Sequence, residues 1–294
     1  MGVHTRDSSM NKWALVVDVA KCINCNNCVL ATKDEHVGND FPGYAAPQPA
    51  HGHEWISIAS FTRGSGSMVD VSYVPTMCNH CDDAPCIKAA GDGAIYKRPD
   101  GIVIIDPVKA QGRKDLVTSC PYGAIAWNEE AALPQIWIFD AHLLDSGWNK
   151  PRCVQVCPTG ALEAVHTSDE ELQALAARQE LEVLRPELGT KPRVFYRNLQ
   201  PTRCCFLAGN VCRTGANGQQ ENVEGAHVEL SIEGAEARRA ATDCFGDFKI
   251  DGLQGGGARY ELRIRHEAFG EAQATGILHE SAMIGPIVLP DRSG

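Results

Sequence analysis

Thirteen cysteines are spread unevenly along this 294-residue chain, and their spacing is its main chemical feature. Cys22-Ile-Asn-Cys25-Asn-Asn-Cys28 is a C-x2-C-x2-C run, and Cys78-Asn-His-Cys81 followed by Cys86 repeats it with a longer last gap. Cys120-Pro121 and Cys157-Pro158 stand alone, each followed by one residue and then Gly-Ala. Closely spaced thiolates can form disulfides or bind metal. Disulfide frameworks belong to small secreted domains with scattered cysteines, whereas these cysteines cluster at ligand spacing. Structural zinc also takes C-x2-C pairs, but it gives no reason for a third cysteine at the same interval or for the repeated Cys-Pro-x-Gly-Ala.

A cubane iron–sulfur cluster explains both features. It needs four thiolates converging from different directions, and a C-x2-C-x2-C loop supplies three of them. In proteins with two clusters, a fourth cysteine followed by proline reaches in from a distant part of the chain. An internal repeat organises the candidates: Val17-Asp18-Val19-Ala20-Lys21-Cys22 lines up with Ile105-Asp106-Pro107-Val108-Lys109-Ala110. Four runs follow. The first is Cys22, Cys25, Cys28, Thr32, and the second is Cys78, Cys81, Cys86, Ala90. The third is Ala110, Arg113, Leu116, Cys120, and the fourth ends in Cys153 and Cys157. Joining the first run to the fourth and the second to the third completes two clusters. Joining the first to the third and the second to the fourth also completes two, so spacing alone leaves the exchange open. Both schemes use the same eight cysteines.

The elements that must position these loops are short. Trp13 to Val19 and Ile102 to Ile105 are apolar and β-branched and are expected as strands. Ser168 to Leu184 is expected as a helix, with Ser168 or Thr167 as cap, acidic residues in its first turn and an apolar stripe of Leu172, Leu175 and Ala176. After Arg203 the pattern changes to alternation with glycine-rich turns: strands are expected over 226–232, 240–250, 260–264 and 284–289. The expected architecture is α+β. A ferredoxin-like double [4Fe-4S] domain with irregular loops, residues 1–200, precedes a small all-β sandwich of Ig/prealbumin-like type, residues 201–294. The second domain carries no catalytic constellation and is read as a docking or stabilising unit.

A net charge of −10 argues against nucleic-acid or anionic-membrane partners. No apolar run reaches the roughly 18 residues of a membrane helix. Met1 to Lys12 lacks the order of a secretory signal, and the internal Arg238-Arg239 is no twin-arginine signal, so a cytoplasmic location is expected.

The order of the four runs, with Asp100-Gly-Ile-Val-Ile-Ile-Asp106, resembles the electron-transfer subunits of the dimethyl sulfoxide reductase family. The likeness narrows through Asp34-Glu-His36, Phe41-Pro-Gly-Tyr44, Cys120-Pro-Tyr-Gly123, Trp127-Asn-Glu-Glu130, Ala141-His-Leu-Leu-Asp145 and Glu187-Leu-Gly-Thr-Lys-Pro-Arg-Val194. These resemble the small subunits of transhydroxylases that act on polyhydroxylated aromatics. The resemblance implies the first-with-fourth pairing: Cys22, Cys25, Cys28 and Cys157 for one [4Fe-4S] cluster, and Cys78, Cys81, Cys86 and Cys120 for the other. It implies a large catalytic subunit carrying a molybdenum or tungsten bis-pterin cofactor, in a heterodimer or higher assembly. It also implies a third cluster, which this chain lacks the ligands for: Thr32, Trp137 and Asp140 stand where three cysteines are needed, and only Cys153 remains. Two clusters are therefore expected. The rival functions are an electron link to another oxidoreductase of the same family, and a scaffold whose clusters are structural.

Cys204, Cys205 and Cys212 are expected as buried free thiols, and Cys244 as a small apolar side chain in a strand. His80 is expected at the surface or behind the ligands. His36, His51, His53 and His142 show no ligand spacing and are assigned nothing.

Overall fold

The computed structural model describes residues 10–290, so most of the N-terminal stretch read for a signal lies outside the described residues. The chain divides into two compact units: Met1–Ser60 with Tyr73–Leu199, and Phe61–Ser72 with Gln200–Gly294.

The first unit is organised by β1 (Lys12–Asp18). After it come α1 (Asn27–His36) and the hairpin β2 (Ile56–Ser65) and β3 (Met68–Met77), whose tip belongs to the second unit. Next are α2 (Pro85–Ala90) and two small antiparallel pairs, β4 (Ile95–Lys97) with β5 (Val103–Ile105) and β6 (Ala126–Asn128) with β7 (Leu133–Gln135). The unit closes with α3 (Ala141–Asp145), α4 (Arg152–Gln155), β8 (Leu162–Thr167), α5 (Asp169–Arg178) and β9 (Val194–Arg197).

Strand β1 lies between β8, antiparallel, and β9, parallel. Both of its faces are covered. Leu15 and Val17 join the main core, while Ala14 and Val16 pack with Leu172 and Phe195. A strand buried on both sides reads as a continuous apolar run, which is why 13–19 was legible. At its end the Asp18 carboxylate accepts the Ala20 N–H at 3.2 Å and caps a tight turn that delivers Cys22. Asp106 does the same after β5, accepting the N–H groups of Val108 and Lys109 at 2.9 and 3.1 Å. The sequence repeat is thus a repeated strand-and-turn device.

The expected helix over 168–184 ends early. Ser168 Oγ accepts the Glu171 N–H at 3.2 Å as its cap, but the helix stops at Arg178. Glu180 turns left-handed, φ +51°, and Glu182 exchanges backbone hydrogen bonds with Tyr196 at 2.7 and 2.8 Å. Pairing with the sheet side overrides the helical composition of 179–184.

In the second unit β10 (Cys205–Thr214), β11 (Gln220–Asn222), β14 (Asp247–Leu253) and β17 (Ala282–Leu289) form one sheet. Strands β12 (His227–Ile232), β13 (Arg238–Ala241), β15 (Ala258–His266) and β16 (Gly270–Leu278) form the other. Leu207, Val211, Phe248 and Ile250 from the first share one core with Val228, Leu230, Leu262 and Ile264 from the second. The single strand expected over 240–250 is two strands. Asp243 accepts the N–H groups of Phe245 and Asp247 at 2.9 and 3.0 Å and makes a turn between them. Gly246 closes it at φ +75°, where a Cβ would stand 2.4 Å from the Val211 carbonyl oxygen. Among the described residues, no helix is long and apolar enough to cross a membrane.

Candidate metal centres

The first thiol set is built around the loop after β1. Asn24 and Asn26 take left-handed conformations, φ +57° and +60°, which asparagine tolerates better than most residues. They curl the chain so that Cys22 and Cys25 return towards Cys28 in the first turn of α1. Cys157 arrives from the loop after α4, a helix packed against α1. Burial pushes the Cys28 thiol up to about 11, and the charges of Cys22, Cys25 and Cys157 add to it. Cys22 is raised by burial and then by Cys157 and Cys25. Cys157 differs. Burial would raise it, but hydrogen bonds from the Leu162 N–H, the Thr159 side chain and the Ala161 N–H outweigh that and lower it. The Ala161 N–H donates to its sulfur at 3.2 Å.

The second set gathers Cys78 at the end of β3, Cys81, Cys86 in the first turn of α2, and Cys120. Burial drives the Cys78 thiol well up, and Cys86, Cys120 and Cys81 each raise it further. Cys86 is pushed to about 11 by burial, then by Cys120 and Cys81. Electrostatic influence thus links Cys22, Cys25, Cys28 and Cys157 with one another, and Cys78, Cys81, Cys86 and Cys120 with one another. Among the described residues no group of three or more His, Cys, Asp or Glu is set closely enough for a single ion. Sets of four thiols, with N–H groups aimed at sulfur as Ala161 is at Cys157, are the donor chemistry a cubane takes, and such hydrogen bonds tune its potential.

Two cations and the segment before β9 clamp the second set. Lys97 Nζ donates to the carbonyls of His80, Cys81 and Gly101 at 2.7, 3.1 and 2.8 Å and pairs with Asp82 at 3.0 Å. Buried Arg193 donates through Nε to the Trp13 carbonyl and through Nη1 to Asp82 and Asp169, all within 2.9 Å. The N–H groups of Asp82 and Asp83 donate to Lys191 and Thr190 carbonyls, and Tyr122 meets Thr190 Oγ1 at 2.6 Å. His80 is neither at the surface nor ligand-like. It is buried with φ +45°, and its Nδ1 accepts the Val103 N–H at 3.0 Å. Burial, then Lys97 and Arg193, hold it well below the usual histidine range and keep it neutral.

The positions without ligands are filled. Ala90, Ala110 and Leu116 are buried, while Arg113 forms ion pairs with Asp92 and Asp115. Thr32 is buried and donates to the Cys28 carbonyl of its own helix at 2.9 Å. Trp137, fully buried, stacks on Phe139 at 4.7 Å between centroids. Asp140, also fully buried, accepts the Arg152 N–H at 2.7 Å and lies 3.2 Å from His36 Nε2. Cys153 is raised by burial, then by the charges of Asp140, Cys28 and Cys157.

Spacing along the chain assigned nothing to His36 and His142, and the structure gives both a place. His142 Nε2 meets Glu35 at 2.9 Å, Arg152 reaches Glu35 and Asp34 at 2.6 and 2.8 Å, and the Phe41 ring stacks on His142 at 3.8 Å. Glu35 and His142 are 107 positions apart, so no local spacing announces the pair. Of the remaining cysteines, Cys212 is buried as expected. Cys204 and Cys205 are only half-buried, and Cys244 is exposed in the turn before β14 instead of lying in a strand.

Comparison with known proteins gives this arrangement its class. Residues 69–167 match the family described as a 4Fe-4S dicluster domain. The chain is 43% identical to the pyrogallol hydroxytransferase small subunit of Pelobacter acidigallici over 86% of its length and 91% of that protein's. It is 30% identical to the arsenate respiratory reductase iron–sulfur subunit of a Shewanella species (63% and 95% of the two chains). With a tetrathionate reductase subunit of Salmonella typhimurium the identity is 31% (69% and 78%). The chain belongs to the iron–sulfur subunits of the dimethyl sulfoxide reductase family, in the branch of the pyrogallol hydroxytransferase small subunit.

Proposed function

We propose that this chain is the electron-transfer subunit of an enzyme acting on polyhydroxylated aromatics. A large partner subunit would hold a molybdenum or tungsten bis-pterin cofactor. What supports the reading is the match to the 4Fe-4S dicluster domain together with the mutual electrostatic influence of the cysteines within each set of four. Cys22, Cys25, Cys28 and Cys157 hold one [4Fe-4S] cluster, and Cys78, Cys81, Cys86 and Cys120 the other. Each cluster supplies a one-electron redox site when bound. The chain's own part is to fix the ligands, to direct N–H groups at sulfur and to keep water away. The iron–sulfur unit is read as a ferredoxin-like double domain with one cluster per half, and the C-terminal unit as an Ig/prealbumin-like sandwich that stabilises the assembly.

The surface around the first set supports a protein partner. Residues 23–32 and 153–161 contain no charged side chain, in a chain that is 22% charged overall. Ile23 and Leu30 are 60% and 62% exposed there, and Cys25 itself is exposed. Interface centres are depleted in charge in this way. A large subunit docked on this face would cover apolar surface and come within reach of the first cluster.

Serine substitution in pairs tests the ligand sets. Cys25→Ser and Cys157→Ser should disturb the same EPR signal of the reduced complex, and Cys81→Ser and Cys120→Ser the other. If Cys25→Ser and Cys120→Ser alter one common signal instead, the pairing is wrong.

A further inference from the structure

A series of buried side chains leads from Cys78 towards helix α4, which packs against the helix that carries Cys28. His80 Nδ1 lies 3.9 Å from Cys78 Sγ. The His80 ring is 5.5 Å from Trp137 and 5.6 Å from Phe139, centroid to centroid, and those two rings are stacked at 4.7 Å. Asp140 follows Phe139 in the chain, and its carboxylate accepts the Arg152 N–H at 2.7 Å, at the start of α4 and next to Cys153. His80, Trp137, Phe139, Asp140 and Cys153 are all buried.

Two features of these rings bear on their role. Phe139 holds a left-handed backbone, φ +56°, a conformation unfavourable for a bulky aromatic residue. Trp137 Nε1 is buried without a hydrogen-bond partner among the described residues. A leucine or methionine would fill space there without leaving an orphaned N–H. An aromatic ring is thus held at 139 despite a backbone conformation that disfavours it.

We propose that Trp137, with Phe139 and His80, forms the electron path between the two thiol sites. The inference rests on reading both sets as [4Fe-4S] ligands. Electronic coupling decays more steeply across gaps between saturated groups than across delocalised rings in contact. Stacked rings therefore shorten the effective span. One electron leaves the site that is reduced and arrives at the site that is oxidised. The rings stay closed-shell throughout, no bond forms or breaks, and no proton moves. Asp140 and helix α4, which carries Cys153 and packs against the α1 helix of Cys28, complete the span.

Flash photoreduction of the cluster-loaded complex, followed by rapid-freeze EPR, reads how fast one electron redistributes between the two signals. Trp137→Leu should slow redistribution, and Trp137→Phe should fall between it and the wild type. The iron content and both reduction potentials should stay unchanged. Phe139→Leu is the second variant and should also slow the exchange, so that cluster loss in one variant leaves the other decisive. Redistribution at the wild-type rate in either leucine variant, at unchanged potentials, overturns the proposal. A wild-type iron content that does not correspond to two clusters overturns the underlying reading, whatever the rates show.

Discussion

Replacing Asp140 by alanine removes a carboxylate that is fully buried and serves two donors. The Arg152 N–H at 2.7 Å and His36 Nε2 at 3.2 Å both lose their acceptor. A buried donor left unsatisfied costs about 1–3 kcal/mol, so two cost about 4 kcal/mol in total. Asp140 is also left-handed, φ +50°, which aspartate and asparagine tolerate better than alanine does. For a unit of this size each kcal/mol moves the melting midpoint by roughly 2–4 °C. The expected fall for Asp140→Ala is therefore roughly 8–16 °C. Asp140→Asn keeps the backbone preference and one acceptor but turns an NH2 group towards the other donor, so it should lose about half as much. The assay is loss of cluster absorbance on heating the purified complex, at one fixed scan rate because cluster loss is irreversible. An Asp140→Ala midpoint within about 2 °C of wild type would refute the reasoning. So would an asparagine variant less stable than the alanine one.

Gly246→Ala should destabilise the second unit by about 1–3 kcal/mol, because the turn needs φ +75° and the new Cβ would stand 2.4 Å from the Val211 carbonyl oxygen; urea unfolding of the variant complex reads it. Burial would raise Asp251, but the Arg63 and Gly252 hydrogen bonds hold it below 3.8. A depressed carboxylate contributes stability that is complete above its unfolded value and is lost as pH falls through the folded one. Protection of β14 amides, corrected for intrinsic exchange, should thus weaken in acid below 3.8, and Asp251→Asn should flatten that loss. The triple change Thr32→Cys, Trp137→Cys, Asp140→Cys, beside native Cys153, should bind iron beyond the wild-type content after anaerobic reconstitution; unchanged iron would mean that the four positions no longer surround a common space.

The thiol loops were legible because metal ligation constrains local spacing, and local spacing is what a sequence displays. The same holds for β1 and for the Ser168 cap. The clamp was not legible, because Lys97, Arg193 and Tyr122 act on residues far from them in the chain. Their types are common surface types, and only folding turns them inward. Strand β10 escaped notice because its apolar run is broken by Asn210 and by Gly209. There Phe248 and Ile284 leave only 2.8 Å for a Cβ, so the glycine marks a close approach and not a turn. Cys244 was misread because an Asp-centred turn breaks what looks like one alternating strand. The role of the positions without ligands was not legible, because the contact of Trp137 with His80 needed coordinates.

Iron and acid-labile sulfide, counted per chain on the anaerobically purified complex, test the central claim most directly. Two clusters on Cys22, Cys25, Cys28, Cys157 and on Cys78, Cys81, Cys86, Cys120 predict about eight irons and about eight sulfides. About twelve of each would mean that a third site survives despite Thr32, Trp137 and Asp140, and zinc in place of iron would contradict the account altogether.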